Sequence, residues 1–142
     1  MLSNDLCVEF TRPMIGNEIT HESIGAAIEV YKLLGPGLLE SAYEACLCHE
    51  FAIRKIGFQK QKPVPLVYKE IKLDRGFRLD LLVEKRIVVE LKSVDAPAPI
   101  HEAIMLIYLR LSGHKLGLLI NFNYSVLVSV LKDGVRRFMM WQ

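Results

Sequence analysis

Two carboxylates and a lysine stand out in the stretch Arg78 to Val94, RLDLLVEKRIVVELKSV, because Asp80, Glu90 and Lys92 interrupt two apolar runs that otherwise have the composition of buried strands. The three residues Glu84, Lys85 and Arg86 between the runs suit a hairpin loop, and that loop sets Val83 opposite Ile87. Carried along the strands, the same pairing sets Asp80 opposite Glu90. Side chains directly opposite on an antiparallel pair are about 5 Å apart, and two like charges there are destabilising. Alternation puts Glu90 on one face with Val88 and Lys92, and Asp80 on one face with Arg78 and Leu82, so the carboxylates are bounded by two cations. Three arrangements relieve the repulsion: a divalent cation between the acids, salt bridges to Lys92 and Arg78, or solvation on an exposed face. If a cation is the answer, carboxylate oxygens suit Mg²⁺ or Mn²⁺ rather than zinc, with water and phosphate oxygens completing the shell. Lys92 would then be placed to orient or deprotonate a water, or to neutralise charge developing on a phosphate.

The elements that must hold these residues follow from periodicity. Ile24, Ala27, Ile28 and Tyr31 predict a helix over 20–34, ended by Gly35-Pro36-Gly37. A second helix runs from Leu38 to about Ile56, with Leu38, Ala42, Ala45, Cys46, His49, Ala52 and Ile53 as one stripe. Glu40, Tyr43, Glu44, Leu47 and Phe51 form another, so the helix reads as covered on both sides. Two extended pieces, 58–62 and 64–68, are broken by Pro63 and Pro65 and suit an edge. Strands over 77–83 and 87–94, a very apolar helix over 100–112, a buried strand over 115–122 and a hairpin of 126–131 with 135–140 around Asp133-Gly134 complete the chain. This order gives an α/β or α+β sandwich around a mixed sheet.

Composition narrows the setting. With 142 residues, about half of them apolar, the chain has the length of one domain over 18–142 preceded by an N-terminal arm over 1–17. The net charge of +2 does not by itself indicate a nucleic-acid binder, yet Lys55 to Arg75 carries six basic residues against two acids, a local excess suited either to an edge strand or to phosphate. Cys7, Cys46 and Cys48 are an odd number and show no ligand spacing with His21, His49 or His114, which favours a reducing, cytoplasmic location without zinc. No basic leader and no run of about 18 apolar residues appears, so no membrane partner is expected. Taken alone, Glu40 is a first-turn acid matched to the helix dipole, Tyr43 a packing residue whose hydroxyl reaches a neighbour, and His101 part of a solvated helix start.

Asp80, a ten-residue step and then Glu90-Leu91-Lys92 resembles the core of the PD-(D/E)XK nucleases. GLLESAY, Gly37 to Tyr43, resembles the signature of the GxxExxY family within that superfamily, as do ITHESIGAAIEVYKLLGPGLLESAYEACL, PIHEAI and HKLGLLINF, so that the likeness runs over roughly 19–140. The resemblance implies a restriction-endonuclease-like fold, a central mixed sheet flanked by helices on both sides. It implies a Mg²⁺- or Mn²⁺-dependent phosphodiesterase acting on nucleic acid, DNA ahead of RNA, with Asp80, Glu90, the Leu91 carbonyl and Glu40 about the metal and Lys92 positioning the attacking water. Ile104 and Ile107 depart from the family pattern, which carries polar residues there. Those departures, and a helix apolar on most of its faces, give the alternative of a non-cutting nucleic-acid-binding or protein-interaction module and the expectation of a homodimer.

Overall fold

A computed structural model of the chain describes residues 7–8, 16–73, 77–95, 98–123 and 135–139. The elements are β1 (Cys7–Val8), α1 (Gly16–Leu34), α2 (Glu40–Ile53), β2 (Phe58–Pro63), β3 (Leu66–Tyr68), β4 (Ile71–Leu73), β5 (Arg78–Val83), β6 (Ile87–Lys92), α3 (Pro99–Ser112), β7 (Leu116–Asn121) and β8 (Val135–Met139). Six strands form one mixed sheet in the order β1-β2-β5-β6-β7-β8, and β3 with β4 makes a separate two-stranded hairpin. Within the main sheet β6 and β7 are parallel and joined through α3, while the other neighbours are antiparallel.

Helices cover both sheet faces, as the fold class requires. Ile19, Ala26, Val30, Tyr43, Leu47 and Phe51 from α1 and α2 pack with Leu81, Val83, Ile87, Val89, Leu91, Leu118 and Ile120. On the other face Met105 and Leu109 of α3 pack with Leu79, Leu82, Val88 and Leu119. Gly117 lets α3 come close, since a β-carbon there would stand 2.6 Å from the Met105 sulfur. Arg54 ties α2 to α1, reaching Glu50 at 2.8 Å and Glu22 at 3.1 Å.

Several expectations are corrected. The inward face of α2 is Tyr43, Leu47, Cys48 and Phe51, whereas Ala45, His49 and Ile53 face outward, Ile53 being 62% exposed. The large side chains of the second stripe bury more apolar area than alanines can, and they decide which side turns in. β2 is not the sheet edge, because Cys7 and Val8, from the stretch read as an arm, pair with Gln59 and Phe58. The extended piece 64–68 is an arm of the β3–β4 hairpin rather than a sheet strand. Residues 126–131 of the expected last hairpin lie outside the described residues, and β8 pairs antiparallel with β7.

Candidate active site

The β5–β6 hairpin has the predicted register over its turn half, with Val83 opposite Ile87, Leu82 opposite Val88 and Leu81 opposite Val89. Its loop is pinned from outside: the Glu84 carboxylate accepts the Gly57 N–H at 2.9 Å while the Glu84 N–H donates to the Gly57 carbonyl at 2.9 Å. The ladder then stops. Where Asp80 would pair with Glu90, side chains take over the backbone groups: the Asp80 N–H donates to Glu90 Oε1 at 3.0 Å, and the Leu91 N–H donates to Asp80 Oδ2 at 2.9 Å. Two acids thus occupy the places of backbone carbonyls, and the hairpin opens around them.

Asp80 also marks a break in alternation. Leu79 and Leu82 both belong to the α3 side while Leu81 and Val83 belong to the α1–α2 side, so strict alternation from Arg78 to Leu82, assumed from the sequence, does not hold. The neighbouring strand bends at the same level. Gln61 lies between the pairs Lys60–Leu81 and Lys62–Leu79 and has a φ of 53°, a left-handed conformation that a non-glycine residue rarely takes. Re-aiming of side chains by such local distortion is a common device beside active sites.

Burial sets the electrostatics. Glu90 is only 6% exposed, and this burial, together with the charge of Asp80, pushes its carboxyl up to about 9, with Lys92 pulling the other way. Near neutral pH Glu90 therefore carries a proton in the metal-free chain. One oxygen of each carboxylate accepts a backbone N–H, and the two side chains are also hydrogen-bonded to each other. Among the described residues no three His, Cys, Asp or Glu side chains gather closely enough to hold an ion together. A Mg²⁺ ion bound through one or two carboxylates with water and phosphate completing its shell fits this donor set, and its charge would replace that proton.

The remaining candidates divide. Lys92, half-buried at the end of β6, acts on Glu90 through its charge. Arg78 is exposed, and no ion pair joins it to Asp80 or Glu90. Glu40, in the first turn of α2, accepts the Ser93 N–H at 3.3 Å, and Ser93 Oγ donates to the Leu38 carbonyl at 2.7 Å, so Glu40 meets the exit of β6 rather than the carboxylate pair. Leu91 turns its side chain into the α1–α2 core. His101 caps α3, its Nδ1 accepting the Ala98 N–H at 3.0 Å. Ile104 is half-buried and Ile107 is 39% exposed.

Three residues at the site were not singled out as functional from the sequence. Glu44, one turn beyond Glu40, is raised above the usual carboxylate range by burial and by the charge of Asp80, and it is held by Gln61 Nε2 at 3.1 Å. Tyr108 of α3 faces the site from the other side: burial first, and then the charges of Glu90 and Asp80, raise its hydroxyl, which stays protonated and able to donate. The third is Asn121, fully buried opposite Lys92; its amide accepts the Val94 N–H at 3.1 Å and donates to the Val94 carbonyl at 2.9 Å, fixing the chain just after Lys92. Polarity at the end of a buried strand was the available signal for Asn121, and helical spacing from Ile104 the one for Tyr108.

A profile of the PD-(D/E)XK nuclease superfamily matches residues 17–138. The chain belongs to that superfamily. The match contains every element that carries the opened hairpin, and the mixed sheet with helices on both faces is the restriction-endonuclease-like arrangement. Among curated proteins and among solved structures, nothing matches. Membership brings a nuclease-type function, nucleic acid as the class of partner and divalent metal as the usual requirement. No helix among the described residues is long and apolar enough to cross a membrane.

Proposed function

We propose that this protein hydrolyses phosphodiester bonds, in DNA ahead of RNA, with Mg²⁺ or Mn²⁺ held by Asp80 and Glu90. One observation carries the reading: a nearly buried glutamate is set against an aspartate in an opened hairpin, an arrangement that is costly unless a proton or a cation is shared there. A bound divalent ion would supply Lewis acidity and charge neutralisation for a phosphate. The Leu91 carbonyl and Glu40 are the further candidate ligands, Glu40 reaching the site from the start of α2 through water.

The chain's own groups do the rest. Lys92 orients the attacking water or carries a hydrogen bond to a non-bridging phosphate oxygen. Tyr108 offers a protonated hydroxyl on the α3 side, in the helix where Ile104 and Ile107 provide no polar group. Asn121 holds the β6 exit so that Lys92 stays in register with the acids. The N-terminal stretch over 1–17 is proposed as an arm to a single nuclease domain over 18–142 in the cytoplasm, and the exposed Ile100 and Ile107 of α3 as a self-association face.

Cleavage of labelled single- and double-stranded DNA and RNA with Mn²⁺ or Mg²⁺ tests the proposal beside Asp80→Ala and Lys92→Ala. Equal residual activity in wild type and both variants would end it. A second reading is favoured by Glu40 lying on Ser93 and by Ile104 and Ile107: a nuclease fold that binds nucleic acid or protein without cutting. Calorimetric Mn²⁺ uptake that Glu90→Gln abolishes excludes this second reading, whereas salt-sensitive DNA binding with no uptake supports it.

A further inference from the structure

The β3–β4 hairpin stands apart from the main sheet and yet is inserted next to the acids. It leaves the sheet after Pro63 of β2 and returns before Arg78 of β5, two residues that pair with each other, and Asp80 lies two positions further along β5. Its base is anchored at the same place. The Val64 N–H donates to the Phe77 carbonyl at 2.9 Å, Val64 is buried on the α3 side, and the Phe77 ring meets Tyr108 edge-on at 6.2 Å.

The pairing of this hairpin gives it two unlike faces. Leu66 lies opposite Leu73 and Tyr68 opposite Ile71, so one face carries only apolar side chains, of which Tyr68, Ile71 and Leu73 are 62, 61 and 47% exposed. Val67 and Lys72 lie on the other face. At the tip Lys69 takes a left-handed φ of 54° and stands 5.4 Å over the Tyr68 ring. Lys62 and Arg78 flank the base. A two-stranded hairpin is marginal by itself, and one with an uncovered apolar face gains most from a partner that covers it.

The lysines indicate a polyanion, and the apolar face narrows its kind. Duplex DNA or RNA presents phosphates, sugars and base edges outward and keeps the faces of its bases stacked. Only unpaired bases offer flat apolar surfaces to a tyrosine and its aliphatic neighbours while their phosphates meet cations. We infer that the β3–β4 hairpin is a stacking arm for unpaired nucleotides, gripping a single strand or a locally opened duplex beside Asp80 and Glu90. The inference rests on the nuclease reading for what the strand meets at its other end, but its binding step can be measured without cleavage.

Fluorescence anisotropy with labelled oligothymidylate and a blunt duplex in EDTA provides the test. Single strand should bind tighter than duplex. Tyr68→Ala and Ile71→Ser should each weaken single-strand binding roughly tenfold, Tyr68→Phe should retain it, and Lys69→Gln should flatten its salt dependence. Single-strand affinity unchanged in Tyr68→Ala, or no preference over duplex in wild type, overturns the inference. So does a dimer in sedimentation that Tyr68→Ala dissociates while oligonucleotide binding is unchanged, because the face would then belong to a second copy. Tyr68-dependent binding by a wild type that never cuts leaves the arm standing and removes the nuclease. Cutting at undiminished rate and affinity by Tyr68→Ala does the opposite.

Discussion

The two halves of the β5–β6 hairpin are built from the same two strands and do opposite things. At the turn, Leu81, Leu82, Val83, Ile87, Val88 and Val89 are buried on both faces and paired backbone to backbone. One residue further on, two carboxylates have replaced the ladder and one of them is nearly as buried as the valines. The turn half gains stability by excluding water from apolar area, and it can hold open a charged half that would not fold alone. A site of this kind depends on a rigid neighbour more than on its own contacts.

Substitution separates the halves. The largest effect should come from Glu90→Gln, which keeps an oxygen for the Asp80 N–H but removes the charge: metal-dependent cleavage should fall by roughly a hundred- to a thousandfold while the melting temperature in EDTA at pH 8 is unchanged or higher. Should both activity and melting temperature collapse, the charged half is structural and the contrast fails. Leu81→Ala should cost about 3 kcal/mol in urea unfolding, yet leave Mn²⁺ uptake by the folded protein intact.

Proton linkage sharpens the same contrast. Glu90 is raised from 4.5 to about 9 in the folded chain, so without metal its contribution to stability is fully present below about pH 4.5 and is lost as pH rises through 9. Between those limits the metal-free protein should lose at most about 1.4 kcal/mol per pH unit from this group, and Glu90→Gln should remove that slope. Mn²⁺ affinity should rise over the same range, because uptake displaces the proton. The smallest effect belongs to the packed side: Gly117→Ala pushes a methyl against the flexible Met105 thioether and should cost about 1 kcal/mol, with no change in metal affinity.

The turn half was the legible part. Three loop residues between two apolar runs set Val83 against Ile87, and the family signature pointed to Asp80, Glu90 and Lys92. The opening of the ladder was not legible, since a register count extends pairing until something interrupts it, and here the interruption is the acids' own affinity for backbone N–H groups. The inward side of α2 was ambiguous because alanine and cysteine suit either side, and only the bulk of Tyr43, Leu47 and Phe51 settles it. Lys69-Glu70 gave no turn signal, as neither residue favours a left-handed backbone, and so the β3–β4 hairpin passed for an edge. Glu44 and Tyr108 needed the placement of two helices over the sheet, which periodicity along one chain does not contain.

Tyr43, the last residue of GLLESAY, connects these regions. Its ring stacks on Phe122 at 4.5 Å, while its hydroxyl donates to the Gly35 carbonyl and accepts the Leu38 N–H at 3.2 Å. Phe122 follows the asparagine that grips Val94, and Leu38 accepts the hydroxyl of Ser93, which also touches Glu40. The start of α2 and the exit of β6 are therefore laced into one closed circuit through a phenol. Jostling at either place is transmitted to the other, so the glutamate and the lysine must drift together or not at all.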